Sequence, residues 1–132
     1  MKATRLTWLA SAVLVHFLIT LVHGAAHAGA EVPLGPAAAL FVFLAIEVAP
    51  LAGLVAAIRY PRGGGSLVAA SMAGALAFGF INHFLVASPD HVAHVAPAWR
   101  TMFAGSAVLL VLSESAGIVA GLWMARLAEA RS

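Results

Sequence analysis

The stretch "LTWLASAVLVHFLITLVHGAAHAGAE" (residues 6–31) decides how the rest of the chain is read. It follows a basic start, "MKATR", runs through about 17 apolar positions and ends among small residues before Glu31. A secretory signal has the same plan: basic, apolar, then small residues at a cleavage point. Two features argue for a retained helix. The apolar run exceeds the usual length of about 7–15 residues, and it carries His16, for which a targeting segment has no use. In a retained helix His16, Thr20, His23 and His27 follow steps of 4, 3 and 4, which places them on one stripe. Lipid penalises such a stripe, so it is expected to face other helices.

The whole chain has the same character. Of its 132 residues 63% are hydrophobic and 9% charged, against about 25% charged in an ordinary soluble domain. The mean hydropathy is +1.02. Too little polar surface exists for water, which makes the bilayer the expected partner. There is no cysteine, which excludes disulfides, thiolate metal sites and iron–sulfur clusters. Nucleic acid is not an expected partner, because the basic residues sit at helix ends and form no patch. "RGGGS" (62–66) follows no strand pattern, so it is no phosphate loop and has the composition of a flexible turn.

Four apolar stretches, roughly 6–28, 36–58, 66–87 and 101–125, each reach the length of about 20 residues that a bilayer requires. The expected fold is all-α: one transmembrane domain over 1–132, an integral membrane, antiparallel four-helix bundle. Lys2, Arg5, Arg59, Arg62, Arg126 and Arg131 fall on one side of such a threading and Arg100 alone on the other. The positive-inside rule then makes both termini cytoplasmic. The Ala, Val, Leu and Gly content suggests a GC-rich bacterial genome, hence the bacterial inner membrane as a multi-pass protein. Trp8, Tyr60, Trp99 and Trp123 lie near span ends, as interfacial aromatics do. Ala49 and Gly53, Ala75 and Gly79, and Ser113, Gly117 and Gly121 repeat small residues at steps of four, which lets helices approach closely in lipid.

Five of the six histidines map to the side opposite the termini. His23 and His27 end the first span, His83 lies about one turn inside the third, and His91 and His94 follow Asp90 in the next connection. Imidazoles with a carboxylate are the ligands that zinc, copper, iron and nickel favour. The expected metal ligands are His23, His27 and His83, with His91, His94 and Asp90 as further ligands or supports. Iron, copper and zinc are not distinguished. A second scheme places haem b between His23 and His83, with Arg100 on a propionate; the protein would then carry electrons.

Deeper in the membrane, His16, Glu47 and Glu114 lie about 11, 12 and 14 residues into their spans, near the bilayer centre at 1.5 Å per residue. An ionisable group there costs about 2.5–3.5 kcal/mol on insertion scales and marks a functional site by default. Together with Ser113 they form an expected polar centre. Pro50 lacks an N–H and frees the carbonyl of Ile46 as a spare acceptor.

"HGAAH" shares the spacing of the first box of the histidine-box membrane desaturases, but their later boxes are absent. There is no Glu-x-x-His of the ferritin-like carboxylate proteins. Small multidrug exporters carry a glutamate in the first span, where this chain has His16. The sequence therefore points to no family. Its leading function is transition-metal binding at the outer end of the bundle, in redox chemistry or metal handling, with catalysis possible at an open coordination position. No substrate or reaction is assigned. Transport of protons or cations through Glu47 and Glu114 is the alternative, expected to need a homo-oligomer. A small accessory subunit of a larger membrane complex is the third.

Overall fold

The computed structural model describes residues 2–126. Arg131, one of the basic residues used for the orientation, lies outside them. Four helices follow one another: α1 (Lys2–Gly29), α2 (Pro36–Arg59), α3 (Pro61–Leu85) and α4 (Pro97–Ala125). Each is long and apolar enough to cross a membrane, and together they form an all-α, antiparallel four-helix bundle. Residues such as Leu18, Leu40, Val55, Leu112 and Val119 point outward. Water would not tolerate these faces, and lipid does.

Proline punctuates the chain. Pro36, Pro61 and Pro97 each open a helix, where the missing N–H has no partner to lose. Pro61 also forces Tyr60 out of helical geometry, at φ −122 and ψ 73. Tyr60 is then the whole connection between α2 and α3. The expected turn at "RGGGS" is instead the first turns of α3. These glycines serve contact. A Cβ on Gly65 would lie 2.5 Å from Gly121 O, and one on Gly121 would lie 2.6 Å from Gly65 O. The α3 and α4 backbones therefore touch, and Gly64 allows the same against Ala57 of α2. The small-residue stripe of α4 is taken up inside the molecule, because Gly117 lies under Met72.

The end of α1 is closed by a Schellman motif. Val32 N–H donates to His27 O at 3.0 Å and Glu31 N–H to Ala28 O at 3.3 Å, with Glu31 at φ 56. This turns Val32 back onto Ala26.

Two apolar clusters hold the bundle at opposite ends. Near the termini, Leu9, Val13, Ala57, Val68, Met72, Ala120 and Met124 come from all four helices. At the other end, Ala26, Val32, Val95 and Phe103 form a smaller cap. The buried polar residues lie between. α4 runs along both α1 and α3, while α2 leans chiefly on α3. The seam between α1 and α2 is consequently the least filled, and the site opens there.

Two π turns interrupt the helices beside this seam. In α2, residues Val42–Val48 are π-helical, ending with Ala49 N–H on Leu44 O. In α3, Ile81–Leu85 is π-helical, ending with Val86 N–H on Ile81 O at 2.9 Å. Such turns carry one extra residue and recur at functional sites. The first carries Glu47 and the second carries His83.

Candidate metal centre

The stripe on α1 faces inward. His16, Thr20 and His23 are buried, and the His27 side chain keeps 12% of its surface exposed. His23, His27 and His83 come together, with one ring nitrogen of each within 4.8 Å of the others. Phe103 forms a shared wall, its ring centroid 4.9, 4.8 and 5.3 Å from theirs.

His27 Nδ1 lies 3.2 Å from the carbonyl of Val32. A carbonyl only accepts, so this nitrogen carries the hydrogen and donates it. His83 Nδ1 likewise donates to the carbonyl of Asp90 at 3.1 Å. The hydroxyl of Ser106 donates within its own helix, to Met102 O at 2.7 Å, leaving its oxygen to accept from His23 Nδ1 at 2.8 Å. All three rings are thus anchored through Nδ1, and neutral rings leave three Nε2 lone pairs. Two of these, on His23 and His83, stand 3.1 Å apart. The third, on His27, stands 3.3 Å from Asp90 Oδ1. Turning the Ser106 hydroxyl toward His23 would let His23 donate to His83, but His27 would still aim a lone pair at a carboxylate. Only positive charge removes this conflict, whether a proton or a metal ion.

The His23–His83 separation of 3.1 Å suits a shared ion, and a nitrogen of His27 lies within 4.8 Å of theirs. Tetrahedral zinc with bonds of about 2.0–2.1 Å holds its ligand nitrogens about 3.3 Å apart. Metal-bound histidines almost always donate their other N–H to a carbonyl, carboxylate or similar partner; here the partners are Val32, Asp90 and Ser106. Asp90 Oδ1 is also 3.3 Å from His83 Nδ1. Neither approach to Oδ1 is aligned as a directed hydrogen bond. Burial opposes ionisation of Asp90, yet the contact with His83 and the positive charge that His83, His27 and His23 carry when protonated outweigh it, holding the carboxyl below its ordinary range.

The other expected residues divide. His91 and His94 stay outside the three-histidine group. His91 Nε2 donates to Phe84 O at 3.3 Å and its Nδ1 accepts from Ala93 N–H at 3.1 Å. His94 Nδ1 donates to Ser88 O at 2.7 Å. Arg100 caps the carbonyls of Ala93 and Val95. Haem does not suit the His23–His83 pair. Axial nitrogens on opposite sides of one iron stand about 4 Å apart with a porphyrin between, and these are 3.1 Å apart.

Below the histidines lies a cavity of about 180 Å³. Its lining includes His23, His27, His83 and Asp90 at one end and Glu47 and Glu114 at the other. His16 stands at the seam, where its Nε2 donates at 3.2 Å to the carbonyl of Ile46, four residues before Pro50, which has no N–H to offer it. Ser113 is turned away. It bonds to Leu110 O in its own helix and lines a groove beside Trp8 and Ala12. Ser106, Phe103 and the Val32 carbonyl are site groups that the sequence did not indicate. The one faint signal is the row Ser106, Leu110, Glu114 at steps of four along α4.

Comparison with protein-family models, curated proteins and solved structures finds no match.

Proposed function

We propose that this protein binds one transition-metal ion through the Nε2 atoms of His23, His27 and His83. Asp90 stands beside them to balance charge, and a coordination position opens toward the cavity. The observation that carries this reading is the outward anchoring of all three Nδ1 atoms, which leaves three lone pairs converging with no protein donor for all of them. Nitrogen-rich, cysteine-free ligation suits zinc, copper(II) or iron(II). With basic residues gathered at the terminal end, the centre belongs on the external face of a bacterial inner membrane, with both termini cytoplasmic. There it serves metal handling or redox chemistry. Elemental analysis of the detergent-purified protein is expected to find close to one equivalent of metal per chain. His23→Ala with His83→Ala should remove it. Full occupancy in that double variant, with helicity unchanged, overturns the assignment.

A further inference from the structure

The ion proposed above occupies one end of the cavity. At the other end two carboxyls face the same space: Glu47, half-buried, from the π turn of α2, and Glu114, 3% exposed, from α4. Neither hydrogen-bonds to any described residue. The walls between them are largely apolar: Val42, Ile46, Ala75, Phe78 and Leu110. An unpaired carboxylate in such surroundings is costly, and two of them repel. Protonated, each would need an acceptor for its hydroxyl, and no described residue supplies one. His16 does not supply a partner, because its Nε2 is spent on the Ile46 carbonyl.

Carboxylate oxygens from two helices lining one cavity of about 180 Å³, roomy enough for several waters, are what a divalent cation takes, with water completing its shell. We infer that the cavity holds a second divalent cation, on Glu47 and Glu114, deeper in the bundle than the histidine ion. The two sites differ in chemistry. The upper is nitrogen-rich and tetrahedral; the lower is oxygen-rich and takes more ligands. The inference rests on the histidine reading only for the first ion, and the two sites can be tested apart.

The test uses the full chain in detergent, stripped with a chelator and titrated with Co²⁺. Equilibrium dialysis gives the stoichiometry and visible absorption the ligand field. Tetrahedral, nitrogen-ligated Co²⁺ absorbs strongly, and oxygen-ligated Co²⁺ of higher coordination weakly. The wild type should take about two ions per chain, one strongly and one weakly absorbing. Glu47→Gln with Glu114→Gln should take about one and keep the strong bands. His23→Ala with His83→Ala should keep the weakly absorbing ion alone. A wild type saturating at about one strongly absorbing ion, unchanged by the glutamine pair, sinks the second site and leaves the first. So does a glutamine pair that still takes about two. Loss of the strong bands in the glutamine pair together with their survival in the alanine pair sinks the histidine reading instead. Glu114→Gln alone, which is isosteric, serves as the variant if the pair does not fold by circular dichroism.

Discussion

The bond from His16 to Ile46 O invites a double-mutant cycle with Pro50. Pro50 removes the N–H that would otherwise reach this carbonyl along the helix, and His16, 1% exposed, supplies a donor from across the seam. His16→Leu takes that donor away. A buried acceptor left unmet costs about 1–3 kcal/mol, while interhelical hydrogen bonds in membrane proteins average about 0.6 and reach about 1.7 kcal/mol. His16 Nδ1 is itself buried without a partner, so losing it returns part of the cost. We expect His16→Leu to destabilise by about 1 kcal/mol. Pro50→Ala restores a backbone N–H four residues after Ile46. In the Pro50→Ala background the same His16→Leu change should therefore cost less. The cycle should show a coupling of about 0.6–1.7 kcal/mol. Reversible unfolding in mixed detergent–SDS micelles, followed by circular dichroism, measures all four corners. Additivity within about 0.5 kcal/mol would refute the claim that histidine stands in for the missing helix donor.

Three other expectations are simpler to check. Gly65→Ala should destabilise by about 1–3 kcal/mol or more, because its Cβ meets the rigid backbone of Gly121 and Ala125; Gly105→Ala, with nothing within 4 Å, should stabilise by about 0.5–1 kcal/mol. The same micellar unfolding assay ranks them, and equal effects would contradict the α3–α4 contact. Glu31→Gly should stabilise by up to about 1 kcal/mol, since Glu31 holds a left-handed φ of 56 that glycine adopts freely; a loss of thermal stability would show that the Glu31 side chain matters more than its backbone. Asp90 has a lowered folded pKa, so its carboxylate adds stability above the ordinary value near 4 and loses it as pH falls through the folded value. Melting temperature should therefore drop in acid below about pH 4, and Asp90→Asn should flatten that limb; an unchanged limb would place the acid-sensitive group elsewhere.

The spans were legible because hydropathy alone separates them, and the prolines at 36, 61 and 97 mark three starts. The third helix starts earlier than its composition suggests. "GGG" has the composition of a turn, and only the approach of Ala57 and Gly121 reveals why it is helical. His23, His27 and His83 could be grouped by depth, since helical rise converts residue count into height. His91 and His94 shared that height, but nearby loop carbonyls bind them, and no spacing rule reports a carbonyl's direction. The Ile46 acceptor followed from Pro50, but its donor did not. The π turns have no compositional signature, so the register shift at Glu47 and His83 was not legible. Ser106 was hidden for a related reason, since its role depends on where its oxygen lies relative to one imidazole.

The apolar cluster near the termini sets a boundary on traffic. One helical step beyond Glu114, Met72 lies over Gly117, and behind it stand Leu9, Val13, Val68 and Met124, all fully shielded. The chamber is blind at its base. Anything entering through the α1–α2 seam leaves by that same seam unless the methionine side chain swings aside. In this conformation the molecule is a cup with one opening, closed at the end that carries the termini.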